Sequence, residues 1–210
     1  RLFVYFFLIN LFGCLFSIAP VAAKESYVTV VNPVRSRIHW NDSGALESQI
    51  NLILDKNIPA TWLIQYSNLS DKQAMNSLKS LPANQEIGLF LEVDEKLADD
   101  SLVPYLYGDG DWARPDKVFL SGYSPTERLR MLDKIFASFK EIFGYYPKSV
   151  GVWYIDAVSL NYIVDNYAIT AVLDCSDQYQ TDKYGLWGKP WGNPYYPRKL
   201  NPLLPASTAS

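Results

Sequence analysis

The stretch that decides the fold is QEIGLFLEV, residues 85–93. Its apolar side chains run with little interruption and end beside one carboxylate, Glu92. A short apolar run of this kind predicts a β-strand that is buried on both faces, as in a parallel sheet. Functional side chains are then expected just beyond the strand, because the sites of parallel β/α folds form at the carboxyl ends of their strands.

Strand-like and helix-like segments alternate on both sides of this stretch. Further strands are predicted at 27–32, 59–66, 148–155 and 169–174. Helices are predicted at 43–57, 70–81, 124–144 and 157–167. The long segment between 94 and 124 is predicted to be an irregular insertion or lid, and no strand or helix pattern returns after Cys175. This alternation predicts an α/β fold, a parallel β/α barrel, with an open doubly wound sheet as the alternative.

The bulk composition narrows the class of partner. The chain has 210 residues, of which 49% are hydrophobic and 20% charged, and its formal net charge is −3. Binding to nucleic acid is not expected, because that requires a basic face. The aromatic content is high, with 6 Trp, 15 Tyr and 10 Phe, and is typical either of a well-packed aromatic core or of surfaces on which sugar rings stack.

The N-terminus predicts an extracytoplasmic protein. Residues 1–23 are apolar after Arg1, and the small residues at 21–23 precede Lys24. This pattern predicts a signal peptide over 1–23 and a domain over 24–210. An uncleaved membrane anchor and a lipoprotein site at Cys14 are the alternatives, and contact with a membrane is expected only if the N-terminal segment stays uncleaved.

Three carboxylates and a set of polar and aromatic residues follow the predicted strands. Glu92, Asp156 and Asp174 are candidate catalytic groups, because two carboxylates on either side of a sugar can hydrolyse a glycosidic bond. For Asp156, capping of the next helix is the alternative role. The candidate substrate-binding residues are Arg35, Arg37, His39, Trp40, Gln65, Trp153, Trp187, Trp191 and Tyr195. The two arginines either hold an anionic group of the substrate or pair with Glu92.

Three motifs resemble the glycoside hydrolase/deacetylase β/α-barrel superfamily, in its polysaccharide-deacetylase-like branch. PATWLIQY (59–66) resembles that family's second strand, and QEIGLFLEV its third. The segment 127–156 resembles its following helix and fourth strand, and the whole resemblance covers roughly residues 26–205. It implies a barrel of seven or eight strands, which this chain would leave incomplete, and an activity on carbohydrate.

The metal-binding residues of that family are not matched. Its first strand ends in two aspartates, where this chain has Asn32, and its third strand carries histidine where Phe90 stands. His39 is the only histidine in the sequence, so the family's two-histidine metal site cannot form. No metal or other cofactor is therefore expected.

The resemblance and the strand-end residues together predict a secreted, carbohydrate-active protein that acts on or binds a polysaccharide or glycan without the usual divalent metal. One hypothesis is a hydrolase that uses the three carboxylates. A glycan-binding relative without catalysis, or an envelope domain that binds a partner protein, is the alternative on the same barrel.

Overall fold

The computed structural model describes residues 28–35, 44–106, 115–174 and 194–207. Five parallel strands form one sheet, and their spatial order is their order in the chain. They are β1 Val31–Val34, β2 Ala60–Gln65, β3 Gln85–Phe90, β4 Ser149–Val152 and β5 Ala171–Asp174. The strands curl into a half-barrel, which confirms the parallel α/β prediction. The described order contains no reversal of the kind that defines a doubly wound sheet.

Helices cover one face of this sheet. They are α1 Ala45–Asp55, α2 Lys72–Lys79, α3 Glu95–Asp100, α4 Pro115–Val118, α5 Pro125–Phe143 and α6 Ala157–Tyr167. Short 3₁₀ turns lie at Tyr66–Ser70 and Leu120–Gly122. The core between helices and sheet contains the fully buried rings of Trp62, Phe136 and Phe139, so these aromatic residues belong to the core.

The opposite face of the sheet, here called the inner face, is packed closely around Leu63. A Cβ atom on Gly151 would lie 2.2 Å from Leu63 Cδ1, and one on Gly88 would lie 2.8 Å from Leu63 Cδ2. The leucine side chain therefore lies over the backbones of both glycines, and a Cβ on Gly88 would also lie 2.4 Å from the backbone oxygen of Ser149. Phe90, which pairs with Gln65 and Gly151 in the register, lies on this face as well.

Helix boundaries follow the local signals with one correction. Ser124 and Glu127 form a capping box at the start of α5, and Gly144 ends that helix with a φ of 82°. The start of α2 was predicted at Ser70, but Ser70 closes the preceding 3₁₀ turn and Asp71 caps the helix by accepting hydrogen bonds from Gln73 N and Ala74 N.

Three further expectations are wrong. Strand β1 lies at Val31–Val34 and not at 27–32, because its pairing with β2 continues through Pro33; a proline is tolerated on an edge strand, where no neighbour needs its missing N–H. The segment 94–124 is not wholly irregular, since α3, α4 and a 3₁₀ turn lie in it. An antiparallel hairpin of β6 (Pro197–Arg198) and β7 (Asn201–Pro205) also follows Cys175.

Candidate functional site

A buried ion pair joins the ends of two strands that are not neighbours. Arg35 follows β1 and Glu92 lies two residues beyond β3, with β2 between them. Arg35 Nε donates to Glu92 Oε2 at 3.0 Å, and Nη2 donates to Oε1 at 2.9 Å. The Glu92 side chain is 1% exposed and that of Arg35 is 24% exposed. This two-pronged geometry is the strongest form of the arginine–carboxylate contact and confirms the pairing alternative for Arg35.

The intervening strand supplies a third member of this network. Gln65, the last residue of β2, donates from Nε2 to Glu92 Oε2 at 3.3 Å. Asn68, in the 3₁₀ turn that follows, donates from Nδ2 to the backbone carbonyl of Arg35 at 3.0 Å. The carboxyl ends of β1, β2 and β3 are therefore held together by polar side chains, and Glu92 accepts at least three N–H donors.

Two aromatic rings border the guanidinium. Arg35 Cζ lies 5.3 Å from the centroid of the Phe90 ring and 5.5 Å from that of Trp153. The two rings meet edge to face, with centroids 5.6 Å apart and planes at 81°. Contacts at these distances stabilise a guanidinium and fix its orientation. We call Arg35, Gln65, Phe90, Glu92 and Trp153 the Arg35–Glu92 cluster.

Asp156 is engaged in helix capping. Its carboxylate accepts hydrogen bonds from the backbone N–H groups of Val158 and Ser159 at the start of α6, and Ser159 Oγ donates to Oδ2 at 2.6 Å. Arg128 Nη1, on α5, donates to Oδ1 at 2.9 Å. The structure thus shows the capping alternative for Asp156, and its catalytic role stays a prediction that no contact described here supports.

Asp174 ends β5 in a different environment. Both of its carboxylate oxygens are sealed from solvent, and neither has a hydrogen-bond partner of ordinary geometry among the described residues. Burial raises the pKa of Asp174 to about 7, and the backbone N–H of Ile155 offsets part of that rise. Side chains alternate along a strand, and Leu173 packs beside Gly151 on the inner face. Asp174 therefore lies on the opposite face from Glu92, so the two do not face each other across one ligand.

Tyr195 lies near Asp174 at the base of the hairpin. Its hydroxyl donates to the carbonyl of Pro202 at 2.9 Å. Burial, and to a smaller extent the charge of Asp174, raises the pKa of Tyr195. The other candidate binding residues lie outside the described residues: Arg37, His39, Trp40, Trp187 and Trp191. The structure brings together Arg35, Gln65, Glu92 and Trp153 from the predicted set, whereas Asp156, Asp174 and Tyr195 lie apart from them.

Sequence reasoning missed three residues that shape these sites. Phe90 was taken only as the replacement of a metal ligand, whereas its ring lies beside the Arg35 guanidinium. Asn68 and Arg128 lie 33 and 28 positions from the residues they contact. Such partners have no local signature, because only the packed fold brings them together.

The described residues do not fit the metal site of the family that the sequence resembles. At the strand ends, Phe90 offers an apolar ring and the Glu92 carboxylate is held by a guanidinium. The Asn32 side chain accepts a hydrogen bond from Gln49, which belongs to helix α1. Asn32 is therefore engaged with a helix and not with the residues at the strand ends. Within the described ranges, no three His, Cys, Asp or Glu side chains are grouped as metal ligands would be.

None of the helices in the described ranges combines the length and the apolar character needed to cross a bilayer. The predicted N-terminal segment, 1–23, lies outside the described residues.

Comparison with known proteins supports the fold. No family model and no curated protein matches the sequence. Among solved structures, the chain is similar to a protein from Parabacteroides distasonis that is described provisionally as a glycoside hydrolase/deacetylase, with a TM-score of 0.56 and 16% identity. The match covers 87% of this chain and 42% of that one, so the chain spans less than half of its structural relative. At this identity the likeness establishes a shared β/α fold and nothing beyond it.

Proposed function

We propose that this chain is the glycan-recognising part of a secreted β/α barrel of the glycoside hydrolase/deacetylase kind, and that it binds its ligand without a divalent metal. The completed barrel would have seven or eight strands, with the signal peptide at 1–23 directing it out of the cytoplasm. The fold of the Parabacteroides distasonis relative and its description support this class.

The observation that carries the proposal is the Arg35–Glu92 cluster. It lies at the carboxyl ends of the strands, where parallel β/α folds bind their ligands. It combines hydrogen-bonding groups with the half-buried ring of Trp153, and this pairing of chemistries suits a sugar, which has hydroxyls at its edge and an apolar face.

Recognition is favoured over hydrolysis by the state of the carboxylates. Glu92 is bound by Arg35 and Gln65, and Asp156 by its helix and Arg128. Asp174 lies on the other face of the sheet. Hydrolysis by an acid and a base needs two carboxyl groups facing one ligand, and these three are not arranged in that way.

Binding to a panel of soluble neutral and acidic polysaccharides, measured by affinity electrophoresis and calorimetry, tests the proposal. We expect Trp153→Ala to weaken binding at least tenfold. Tyr145→Ala is the matched control, because this exposed ring precedes β4 at the other end of the sheet, and it should bind like the wild type. Equal binding by both variants, or no binding of any glycan by the wild type, would contradict the assignment.

Two further measurements separate the parts of the proposal. A chelator should leave glycan binding unchanged, and a loss that is restored by a divalent cation would contradict the metal-free site. Turnover of the same panel should be undetectable; turnover that disappears in Glu92→Gln would show that the cluster is catalytic.

A further inference from the structure

A groove lies at the amino end of the sheet, at the end of the strands opposite to the Arg35–Glu92 cluster. Its volume is about 350 Å³, which lies within the range of sites that take small molecules. The end of α2, the end of α5 and the start of β3 form its walls. Apolar side chains line most of it: Leu78, Leu81, Ile87, Ile142 and Phe143. A ligand that fills this groove must therefore have an apolar body.

The amide of Gln85, at the start of β3, is already engaged within the protein. Its Nε2 donates to the Ile58 carbonyl at 2.8 Å and to Asn84 Oδ1 at 3.4 Å, and its Oε1 accepts from Trp62 Nε1 at 3.0 Å. Gln85 is also buried. Polar recognition of a ligand in the groove has to come from its rim.

Lys79 provides a charge at this rim. Among the described residues that line the groove, it is the charged one, and it is exposed as the last residue of α2. Its Nζ lies 5.8 Å from the centroid of the Phe143 ring, and no carboxylate of the described structure forms an ion pair with it. Glu86 points away from the groove, because side chains alternate along β3. The ammonium can therefore bind an anion whose apolar body lies against the groove.

The other charges near the groove do not reach a ligand inside it. The carbonyls at the ends of α2 and α5 carry partial negative charge, but each helix has a lysine in its last turn, Lys79 and Lys140. Glu141 of α5 is exposed and does not line the groove, so solvent screens its charge. Direct contact with Lys79 therefore decides which sign of ligand is preferred.

We propose that this groove binds a small anionic amphiphile, with the apolar body between α2 and α5 and the anionic head group paired with Lys79. Fatty acids and arylalkanoic acids share this chemistry. The groove is separate from the Arg35–Glu92 cluster, so its occupation does not depend on glycan binding.

Titration of the full chain with octanoate, followed by calorimetry and by the methyl resonances of Ile87 and Ile142, tests the site. We expect saturable binding with a dissociation constant of about 1 mM or below, and shifts of these methyl resonances. Octylammonium, which has the same chain and the opposite charge, should bind about fivefold more weakly. The affinity of 3-phenylpropanoate relative to octanoate then distinguishes an aryl acid from a fatty acid as the preferred body.

Two variants of one helix isolate the contribution of Lys79. Lys79→Gln should weaken octanoate binding about three- to fivefold and should not weaken octylammonium binding, because an exposed ion pair contributes modestly. Lys72→Gln removes the same charge from the start of α2 and should bind octanoate like the wild type. Ala83→Trp places an indole ring in the groove from an exposed position and should weaken octanoate binding by about tenfold or more.

The proposal is overturned if octanoate does not bind saturably, or if it binds without shifting the methyl resonances of Ile87 and Ile142. Equal octanoate affinities of Lys79→Gln and the wild type would also overturn it, as would equal affinities of the wild type for octanoate and octylammonium. None of these results bears on glycan recognition, which Trp153→Ala tests independently at the other end of the sheet.

Discussion

At the scale of single residues, the pair of Arg35 and Glu92 is the contact on which the candidate site depends. The carboxylate is almost wholly buried, while the guanidinium keeps some access to solvent. The two residues are therefore not equivalent, because removing the arginine leaves a buried charge whereas removing the carboxylate leaves a charge that can reach water.

Arg35→Met should destabilise the protein by about 3 kcal/mol, because Glu92 is then left buried without its cation. Glu92→Gln should cost less, about 1 kcal/mol. The double variant should be more stable than the sum of the two losses implies, which urea denaturation would measure as a coupling free energy. Strictly additive losses would show that the two side chains do not interact in solution.

Asp156 gives a second test, of capping against catalysis. Asp156→Ala removes both the cap of α6 and the partner of Arg128, so we expect a loss of about 2 kcal/mol in the free energy of unfolding. Asp156→Asn keeps an equally good cap and loses only the charge, so its loss should be smaller. Equal losses from both variants would contradict a capping role.

The residue scale also shows where sequence reasoning ends. The local signals placed Arg35 and Glu92 at strand ends. They did not decide whether the arginine pairs with Glu92 or with an anionic group of the substrate. The contact spans 57 positions of the chain, so only the curl of the sheet could decide between them. The burial of Asp174 is equally beyond local patterns, because it is a property of the packed molecule.

At the scale of elements, close packing at the glycines of the inner face leaves little room for a side chain at these positions of the strands. Gly88→Ala would place its Cβ 2.4 Å from the backbone oxygen of Ser149, which cannot move without disturbing β4. We expect a loss of about 3 kcal/mol. Gly144→Ala, at a helix end with open space and a positive φ, should lose only about 1 kcal/mol.

Thermal and urea unfolding of both alanine variants would check this order. A Gly88→Ala protein as stable as Gly144→Ala would mean that the strands separate more easily than the packing around Leu63 implies.

Elements with complete local signals were predicted well, and those set by tertiary contacts were not. Helix α6 has the predicted bounds, 157–167, and α5 lies within one residue of its prediction at each end. Strand β1 lies further along the chain than predicted, because its pairing with β2 continues through Pro33 to Val34. The β6–β7 hairpin was missed because its strands are short and proline-rich, and docking on α6 supplies what propensity lacks.

At the scale of the whole molecule, the described sheet has a protected centre and exposed margins. Strands β2 and β3 are flanked on both sides, whereas β5 has a neighbour on one side only among the described strands, and Leu173 on it is 38% exposed. Local stability should therefore decrease from the centre of the sheet to β5.

Amide hydrogen exchange should show this gradient, with the amides of 62–65 and 87–90 exchanging at least tenfold more slowly than those of 171–174. In a longer version of the protein that completes the barrel, the amides of 171–174 should become as protected as the central ones. Uniform protection across the five strands of this chain would contradict the expected gradient.

The bridge from Arg35 to Glu92 has a mechanical consequence. It crosses the middle strand, so it spans two interstrand spacings, roughly 10 Å along a flat sheet. A crosslink across the concave side of a curved strip sets the radius of that strip. A ligand that competes with Arg35 for Glu92 would therefore relax the curvature of β1, β2 and β3 together, and binding at one point would be transmitted as a change in the shape of the barrel wall.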